Sequence, residues 1–341
     1  MLSPLAAAPP NTQDAVIDVR DLDVDLKVSA GRIRVVDDLS FSIRPGEIFG
    51  VVGESGSGKS MTALAIMGLL PQPAGRVARG TIHFDGADLA KADAETRRGL
   101  RGDAMAMIFQ EPMTSLNPVL KVGFQIGEAL RIHRGASRSE AQDRAVALLR
   151  RVGIANPERT AADYPHRLSG GMRQRAMIAM AMACKPRLLI ADEPTTALDV
   201  TIQAQVLDLI DELRRQERTA VLMITHNFGI IAQKADRVAV MYAGEIVEEA
   251  SAAKLLDGAR HPYTQGLLAS VPRLGVRKGG RPPRLSEIPG MQPDVSKPRE
   301  GCAFAPRCPL RVADCTRARP PLLTVDAGHR VRCIVNGRPS A

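Results

Sequence analysis

The glycine-rich segment between residues 53 and 60 has the composition and spacing of a phosphate-binding loop. It reads Gly53-Glu54-Ser55-Gly56-Ser57-Gly58-Lys59-Ser60 and fits the pattern G-x-x-x-x-G-K-[ST] without a mismatch. The backbone N–H groups of such a turn surround phosphate oxygens, and the dipole of the following helix attracts their charge. We therefore expect a nucleoside triphosphate here, with Lys59 at its β and γ phosphates and Ser60 at Mg²⁺. A flexible surface turn is the weaker interpretation, because a complete match rarely arises by chance.

Two acidic residues that follow a short apolar run could complete this chemistry. Asp192 and Glu193 come soon after the predicted strand at residues 188–190. We expect Asp192 to hold Mg²⁺ together with Ser60, since Mg²⁺ prefers hard oxygen ligands. Glu193 cannot point the same way as its neighbour, and we assign it to polarising the attacking water. Surface acids after a strand are common, but the phosphate loop in the same chain favours a functional role.

Two neutral side chains follow apolar strands in the same way. His226 comes after residues 220–225 and is expected to contact the γ-phosphate or to steady the water and Glu193. Gln110 comes after residues 105–109 and is expected to reach Mg²⁺ or the attacking water. A lone histidine is more often structural. Ligands of parallel sheets, however, bind at the carboxyl ends of the strands, where all these groups fall.

The elements that must position these groups form an alternation of strands and helices. Strands are predicted at residues 48–52, 105–109, 188–190 and 220–225, and helices at residues 61–70 and 200–215. Such an alternation with apolar strands indicates a parallel sheet covered on both faces. Met61, next to the loop, is included in the predicted nucleotide-binding set.

Other periodicities predict two additions to this core. Alternating apolar and polar residues at 15–26, 39–43 and 81–84 predict antiparallel strands, the last of which ends at an Asp85-Gly86 turn. Helical spacing between residues 119 and 182, including 123–132 and 138–152, predicts an inserted helical subdomain. We therefore predict an α/β P-loop NTPase (RecA-like) fold. It has a parallel-sheet core, an antiparallel β subdomain, the helical insertion and a small C-terminal Cys-containing extension.

A second glycine turn lies far from the first in the sequence. Ser169, Gly170 and Gly171, within the stretch LSGGMRQR at residues 168–175, form a predicted anion nest at the start of a helix. An ordered set of motifs resembles the ATP-binding subunits of ATP-binding-cassette transporters. The set comprises the phosphate loop, Gln110, this stretch, Asp192-Glu193, Ala197-Leu198-Asp199 and His226. The resemblance covers residues from about 15 to 250.

The resemblance implies that two cassettes face each other head to tail. Ser169, Gly170 and Gly171 would close on the ATP held by the other cassette, and Asp199 would lie at the interface. The segment after Gln110 would receive a cytoplasmic helix of a membrane partner. Closure on ATP and opening after hydrolysis would then drive transport. The predicted units are a flexible N-terminus at 1–14, a cassette at 15–269 with its helical subdomain at about 111–187, and an extension at 270–341.

The base-binding region departs from the pattern of many members of this family. These members stack adenine on an aromatic residue before the phosphate loop, but residues 26–36 contain no aromatic side chain. Leu26 or Ile33 is expected to pack against the base instead. We expect a modest loss of base affinity and selectivity, with the phosphate chemistry unaffected.

Further details resemble the peptide-importer branch of the family. They are the sequence of residues 110–118, Met172, the stretch HPYT at residues 261–264, and the tail. The resemblance implies an ATPase that uses ATP and Mg²⁺ to power import of dipeptides or oligopeptides. Its partners would be a second cassette subunit, two membrane permeases and an extracytoplasmic peptide-binding protein. The chain itself would lie at the cytoplasmic face of the membrane. The alternatives are an importer of nickel or another small solute, or a soluble cassette ATPase acting on nucleic acid or ribosomes. The soluble class is disfavoured because the chain has no tandem cassette and no sustained heptads.

The composition of the 341 residues is that of a soluble globular protein, with 45% apolar and 24% charged residues. No apolar run approaches 18 residues, so no membrane span is expected, and the first residues do not resemble a secretory signal. The net charge of +9 is located entirely after residue 270, where fourteen basic residues face five acidic ones. Because Pro and Gly separate these arginines and aromatic partners are few, we predict a solvated basic linker and no nucleic-acid surface.

Four of the five cysteines lie in the tail, at Cys302, Cys308, Cys315 and Cys333. A small segment with little hydrophobic core needs a cross-link to be stable. Disulfides are disfavoured in a reducing cytoplasm, so the thiols predict a metal site. The spacing lacks the close pairs of structural zinc sites and favours a [4Fe–4S] cluster, as does the resemblance. Zinc and free thiols stay as alternatives. Cys184 stands alone and is expected to be a buried apolar residue.

Overall fold

The computed structural model describes residues 14–29, 31–110, 115–196, 199–271, 287–294, 296–297 and 300–337. The predicted N-terminal unit lies almost entirely outside these residues. Residues 111–114 of the predicted motif after Gln110 and the pair Ala197-Leu198 also lie outside them. None of the described helices is both long enough and apolar enough to cross a membrane.

A mixed sheet forms the centre of the described fold. Its strands are β3 (Ile48–Val52), β6 (Met105–Ile108), β7 (Leu188–Asp192), β8 (Ala220–Thr225), β9 (Arg237–Tyr242), β10 (Glu245–Ser251), β11 (Leu323–Asp326) and β12 (His329–Val331). The spatial order is β11-β12-β10-β9-β3-β8-β7-β6. The part from β9 to β6 is parallel, as predicted. Their carboxyl ends therefore meet at one edge of the sheet.

The other side of this sheet is antiparallel and comes partly from the tail. Strand β10 pairs with both β9 and β12, and β12 pairs with β11. Strands β11 and β12 belong to the predicted extension, which therefore continues the central sheet instead of standing apart from it. The prediction of a parallel core did not include this antiparallel side.

Alternate residues of the central strands enter two separate hydrophobic clusters. In β3, Ile48 and Val52 join one cluster, whereas Phe49 and Val51 join the other. A strand whose successive side chains are all buried must be covered on both faces. Helix α1 (Lys59–Met67) contributes to one of these faces through Ala63 and Ile66. The prediction of a doubly covered sheet is confirmed.

The predicted antiparallel layer is a second sheet with longer strands than the sequence pattern indicated. Its strands are β1 (Ile17–Val28), β2 (Gly31–Ile43), β4 (Gly75–Phe84) and β5 (Ala87–Asp88), in the order β2-β1-β4-β5. The predicted turn at Asp85-Gly86 joins the last two strands, and both residues have positive φ, 48° and 81°. This layer shares the hydrophobic cluster that contains Phe49, through the stacked rings of Phe41 and Phe49.

The helical insertion lies between β6 and β7 in the chain. It comprises α3 (Val122–Arg134), α4 (Arg138–Arg151), α5 (Pro157–Ala162) and α6 (Gly170–Ala181). The short helix α2 (Ala94–Leu100) precedes β6 and is not part of the insertion. Helix α4 begins with a complete capping box, in which Ser137 and Glu140 exchange hydrogen bonds. The remaining helices are α7 (Val200–Glu217), α8 (Phe228–Lys234), α9 (Ala252–Gly258) and α10 (Pro262–Ala269).

Candidate active site

The phosphate loop joins β3 to α1 and needs glycine for two reasons. Gly53 and Gly58 have φ of 159° and 99°, a region that other residues rarely adopt. A Cβ atom at Gly53 would lie 2.2 Å from the carbonyl oxygen of Met241, and one at Gly58 would lie 2.5 Å from that of Val35. The backbone is therefore packed too closely for any side chain at either position.

Lys59 is the buried cation of this loop, with 5% of its surface exposed. Its ammonium donates to the carbonyl oxygens of Gly53 and Glu54, at 2.7 and 2.8 Å, and to the Ser57 hydroxyl at 3.2 Å. Burial lowers the pKa of Lys59, although the nearby carboxylate of Glu193 acts in the opposite direction. The loop thus holds a positive charge at its centre through neutral acceptors alone, and an anionic ligand would bind it more strongly.

Asp192 ends β7 and faces the loop. Its side chain is 4% exposed and accepts a hydrogen bond from Ser60. Burial raises the pKa of Asp192, although the bond from Ser60 lowers it. The Oδ1 atom is buried and has no hydrogen-bond partner among the described residues. A hydroxyl beside an unsatisfied carboxylate oxygen is a donor set that fits Mg²⁺.

Glu193 follows Asp192 but its side chain lies in a different environment. Its φ of 48° is left-handed, which turns the residue out of the strand. The Oε1 atom accepts a hydrogen bond from Nδ1 of His226 at 3.0 Å, and Oε2 accepts one from the Gln110 amide at 3.2 Å. Burial opposes ionisation, but the hydrogen bond from His226 helps to lower the pKa of Glu193. The structure therefore brings together three of the predicted site residues.

Thr196 is a member of this cluster that the sequence reasoning missed. Its hydroxyl donates to Oε2 of Glu193 at 2.7 Å. It stands three residues after Glu193 in a turn, where the backbone N–H of Thr196 donates to the carbonyl of Glu193. A Thr at this spacing after an acid was the available signal, because a short turn returns its hydroxyl to the carboxylate.

The second predicted phosphate loop lies at the N-terminus of α6. Ser169 caps the helix by accepting the N–H of Met172 at 3.3 Å, and its side chain is exposed. Ser169 and Gly171 line a surface cavity of about 450 Å³ whose lining includes no residue of the phosphate loop. Asp199 is likewise exposed and caps α7 by accepting the N–H of Ile202 at 2.9 Å. Within one chain, these residues do not join the loop at residues 53–60.

The two residues proposed to contact the base form one cross-strand pair. Leu26 of β1 lies opposite Ile33 of β2. Both side chains are partly exposed, so an apolar surface without an aromatic ring is available on this sheet. Whether the base packs there stays a prediction.

The described part of the tail is not a solvated basic linker, and that prediction is wrong. Its arginines form ion pairs with carboxylates of the preceding body. The pairs are Arg307–Glu54 at 2.9 Å, Arg319–Asp37 at 3.2 Å, Arg319–Glu245 at 3.3 Å, Arg332–Asp38 at 3.3 Å and Arg330–Glu249. The excess positive charge of the tail is therefore used, at least at these positions, to attach it to the body.

The four tail cysteines are close enough to influence one another. The backbone N–H of Cys302 donates to the carbonyl of Cys315 at 2.8 Å. Burial raises the pKa of Cys302 to about 11, and Cys315 and Cys333 contribute to the rise. Yet no three His, Cys, Asp or Glu side chains in the described parts of the chain are arranged to hold a metal ion. The donor chemistry fits an iron–sulfur cluster, but this structure does not support a metal site. Cys184 is buried, as predicted.

Two family models match the chain. The model described as ABC transporter matches residues 36–196. The model described as oligopeptide/dipeptide transporter, C-terminal region, matches residues 247–315. The first match falls within the predicted cassette, and the second covers the end of the cassette and the first part of the extension, including Cys302, Cys308 and Cys315.

Similar proteins cover almost the whole chain. A Brucella melitensis protein that bears the name of a peptide import ATP-binding protein is 51% identical over 330 residues, which are 95% of this chain and 98% of the relative. The dipeptide transport ATP-binding protein DppD of Escherichia coli K12 is 47% identical over 319 residues, which are 94% of this chain and 96% of the relative.

Solved structures of similar fold are ATP-binding cassettes. One is a dimeric cassette in a post-hydrolysis state with bound ADP and Pi, at 27% identity and a TM-score of 0.62. A dimeric bacterial ABC transporter cassette has 28% identity and the same TM-score. Each comparison covers 69% of this chain and 98% of the solved one.

Proposed function

Because the chain belongs to the ABC transporter family, we propose that it is the ATP-hydrolysing subunit that powers an importer of dipeptides or oligopeptides. The observation that carries this proposal is the cluster of Gln110, Glu193 and His226 at the edge of the sheet that also bears the phosphate loop. The matched C-terminal region and the names of the relatives support peptides as the cargo. The motor is expected at the cytoplasmic face of the membrane.

Nucleotide and Mg²⁺ bind together at the phosphate loop in this proposal. The backbone from Gly53 to Met61 surrounds the phosphates, and Lys59 exchanges its bonds to loop carbonyls for bonds to phosphate oxygens. Ser60 and Asp192 bind Mg²⁺, supported by the unsatisfied Oδ1 atom. Gln110 is placed to reach the metal or the water. Mg²⁺ held there would supply positive charge against the charge that develops on the phosphates.

Glu193 polarises the attacking water in this proposal. Its carboxylate is held by His226, Gln110 and Thr196, so its position is fixed before nucleotide binds. Nδ1 of His226 donates to Glu193, so Nε2 of the neutral ring can accept a hydrogen bond from the attacking water, whereas contact with the γ-phosphate requires the protonated ring. Asp192, with its raised pKa and its bond to Ser60, is left for the metal. Adjacent carboxylates thus have separate tasks.

A second cassette completes the site. Ser169 and Gly171 line a surface cavity away from the phosphate loop of the same chain, and the solved cassettes of similar fold are dimeric. We place these residues on the γ-phosphate of the nucleotide held by the partner, with Asp199 at the interface. The partner is either a second copy of this chain or a related cassette.

The membrane permeases dock beside the helical insertion in this proposal. A cavity of about 410 Å³ lies between α3, α4 and α5, and it is lined by apolar and cationic side chains, including Phe124, Lys121 and Arg138. Val119 at its rim is 75% exposed and Phe124 is 37% exposed. A cavity with apolar walls and a basic rim suits an amphipathic helix. Val119, Leu120 and Lys121, which line the cavity, follow in the chain the segment where the family resemblance places the permease contact.

We also propose that the four tail cysteines bind a [4Fe–4S] cluster, with zinc and free thiols as the alternatives. The support is the four-thiol donor set and the backbone hydrogen bond that joins Cys302 to Cys315 at 2.8 Å, although the described side chains are not grouped around a metal position. Anaerobic purification followed by iron, acid-labile sulfide and zinc analysis tests the proposal. If a cluster is present, about four irons and four acid-labile sulfides per chain are expected. Stoichiometric zinc without iron identifies the first alternative, and neither metal identifies the second.

The function is tested by uptake in a strain that lacks this chain. Labelled dipeptide uptake should return on complementation with the wild-type chain and should fall when unlabelled peptides compete. The Glu193→Gln chain should not restore it, whereas Glu217→Gln, which changes a carboxylate paired with Lys185 and Arg151 far from the site, should. Uptake of labelled nickel in place of peptide would identify the small-solute alternative. Co-purification with nucleic acid instead of membrane proteins would contradict both.

A further inference from the structure

Glu54, the second residue of the phosphate loop, is contacted by groups from the end of the chain. Its backbone N–H donates to the phenol oxygen of Tyr263 at 2.9 Å. Its Oε2 atom accepts hydrogen bonds from Arg307 at 2.9 Å and from the amide of Gln292 at 3.0 Å. Its carbonyl oxygen accepts from Lys59. Backbone and side chain of one loop residue are thus fixed by residues more than 200 positions away.

Arg307 is the central member of this contact. Its side chain is only 6% exposed and forms the ion pair with Glu54. The guanidinium also donates to the carbonyl oxygens of Pro289 and Ile288, at 2.9 and 3.1 Å, and to the Tyr242 hydroxyl at 3.3 Å. These fixed acceptors hold the guanidinium in one orientation. A buried arginine with four hydrogen bonds in fixed directions pairs with a carboxylate far more specifically than a surface lysine does.

An aromatic cluster keeps these groups in place. Tyr242 ends β9, Tyr263 lies in α10, and Phe304 precedes the 3₁₀ turn Ala305–Arg307. The ring centroids of Tyr242 and Tyr263 lie 4.6 Å apart, and those of Tyr263 and Phe304 lie 5.4 Å apart. All three rings are buried. The tail turn that carries Arg307 is therefore packed against the strand next to β3, from which the loop begins.

The charge of Glu54 acts on the nucleotide site. Its carboxylate is among the groups that raise the pKa of Lys59, the residue assigned to the phosphates. A carboxylate that supports a buried ammonium would equally repel an anionic triphosphate. Arg307 offsets this charge and holds it on the side of the loop that faces the tail.

We propose that Arg307 is a positioning residue for nucleotide binding, which holds the phosphate loop through Glu54 and neutralises the charge of that carboxylate. This inference rests on the proposed nucleotide site and gives the tail a role in binding nucleotide there. Arg307 touches no reacting atom, so its loss should weaken nucleotide affinity and leave the turnover rate at saturation almost unchanged.

The test compares five full-length variants with the wild-type chain by calorimetric titration with Mg²⁺ADP. Arg307→Gln should raise Kd by roughly three- to thirty-fold. This is the effect expected when the charge of Glu54 loses its partner and repels the nucleotide across a partly screened gap. The increase should shrink as salt is added, because the repulsion is electrostatic. Arg307→Lys should recover most of the affinity, since it keeps the charge. Arg319→Gln is the matched control, because it removes a tail arginine that pairs with Asp37 and Glu245 and not with the loop.

The double variant Glu54→Gln/Arg307→Gln separates charge compensation from a packing defect. With the carboxylate also neutral, its Kd should lie within about threefold of that of Glu54→Gln alone, because contacting residues are not additive. If the double variant binds as weakly as Arg307→Gln, or if Arg307→Gln and Arg319→Gln bind alike, the inference is wrong. Failure of the wild-type chain to bind nucleotide would instead refute the proposed function. Thermal unfolding of each variant identifies any that do not fold.

Discussion

At the scale of single residues, two adjacent carboxylates have been given different surroundings. Burial raises the pKa of Asp192, whereas hydrogen bonds, first from His226 and then from Thr196, lower that of Glu193 against the effect of burial. The left-handed backbone at Glu193 makes this separation possible, because an extended residue there would follow the strand. One acid is suited to a metal ion and the other to a water molecule.

Glu193→Gln is expected to keep nucleotide binding and to stop hydrolysis. The amide cannot polarise water as a carboxylate does, and a positioned acid–base group contributes about 10²–10⁴-fold to a rate. Phosphate release measures turnover, and calorimetry with Mg²⁺ATP measures binding. Glu217→Gln serves as the control for both. Hydrolysis near the wild-type rate in Glu193→Gln would remove Glu193 from the mechanism.

Lys59→Ala is expected to weaken ATP binding itself. The variant loses a charge-assisted contact to the phosphates worth about 1.5–3 kcal/mol, or roughly ten- to a hundred-fold in Kd. Lys185→Ala is a suitable control, since Lys185 pairs with Glu217 away from the loop. An unchanged Kd in Lys59→Ala would show that the lysine stays with the loop carbonyls when nucleotide is bound.

The predicted site residues lie close together in the structure because the local sequence places each of them at or after the end of a strand. Asp192 ends a strand, while Lys59, Glu193 and His226 come after strands, and the carboxyl ends of strands in a parallel sheet share an edge. Arg307 could not be found this way, because its contact with Glu54 joins positions 253 residues apart and depends on how the tail folds back. Spacing along the chain carries no signal for such a pair.

At the scale of elements, α10 begins at a histidine that has to stay neutral. His261 is 1% exposed, and its Nδ1 atom accepts the N–H of Tyr263 at 3.1 Å as the helix cap. Burial lowers the pKa of His261 to about 4. A protonated Nδ1 could not accept this bond. The cap therefore depends on the neutral ring.

This cap predicts acid destabilisation in a defined window. The unfolded chain binds a proton at His261 below about pH 6.5, whereas the folded chain resists until about pH 4. Unfolding thus takes up a proton between these values, and stability should fall by about 1–1.4 kcal/mol per pH unit on acidification. Denaturant unfolding measured from pH 7 to about pH 5 should show this slope.

A pair of variants isolates the contribution of His261 to that slope. His261→Gln should reduce the slope, whatever its effect on absolute stability, because it removes the titrating group. His166→Gln, at an exposed histidine, should leave the slope unchanged. Equal slopes in the wild-type chain and His261→Gln would show that other groups cause the pH dependence.

The elements of the core were predictable and those of the tail were not. Strand β3 and helix α7 have strong periodicity, and their predicted bounds agree with the structure to within two residues. Strands β11 and β12 span only Leu323–Asp326 and His329–Val331. Strands this short carry little periodic signal, and β12 joins the central sheet through its pairing with β10, a tertiary contact.

At the scale of the whole molecule, arginines of the tail hold the two sheets together. Arg332 is 5% exposed, pairs with Asp38 of the antiparallel sheet, and donates to the carbonyl of Ile246 in β10 of the central sheet. Arg319 makes similar links through Asp37 and Glu245. The excess charge noted in the sequence thus has a structural use, which composition alone could not distinguish from a solvated linker.

Arg332 also pairs with the buried carboxylate of Glu245 at 3.9 Å. Arg332→Gln is expected to lower the free energy of unfolding by about 3 kcal/mol, the lower end for breaking a buried ion pair, since Arg319 still contacts Glu245. Arg317→Gln is the matched control. Arg317 pairs with Asp314 at the surface, where both side chains are more than half exposed, and its loss should cost no more than about 1 kcal/mol. Chemical denaturation of both variants makes the comparison, and equal losses would refute the proposed role of the tail.

The most direct test of the central claim is peptide accumulation in proteoliposomes that contain the complete importer with its binding protein. With wild-type chain and ATP, labelled dipeptide should accumulate inside while phosphate is released. With Glu193→Gln, both should cease although ATP still binds. Accumulation of peptide at the wild-type rate with the Glu193→Gln chain would contradict the account.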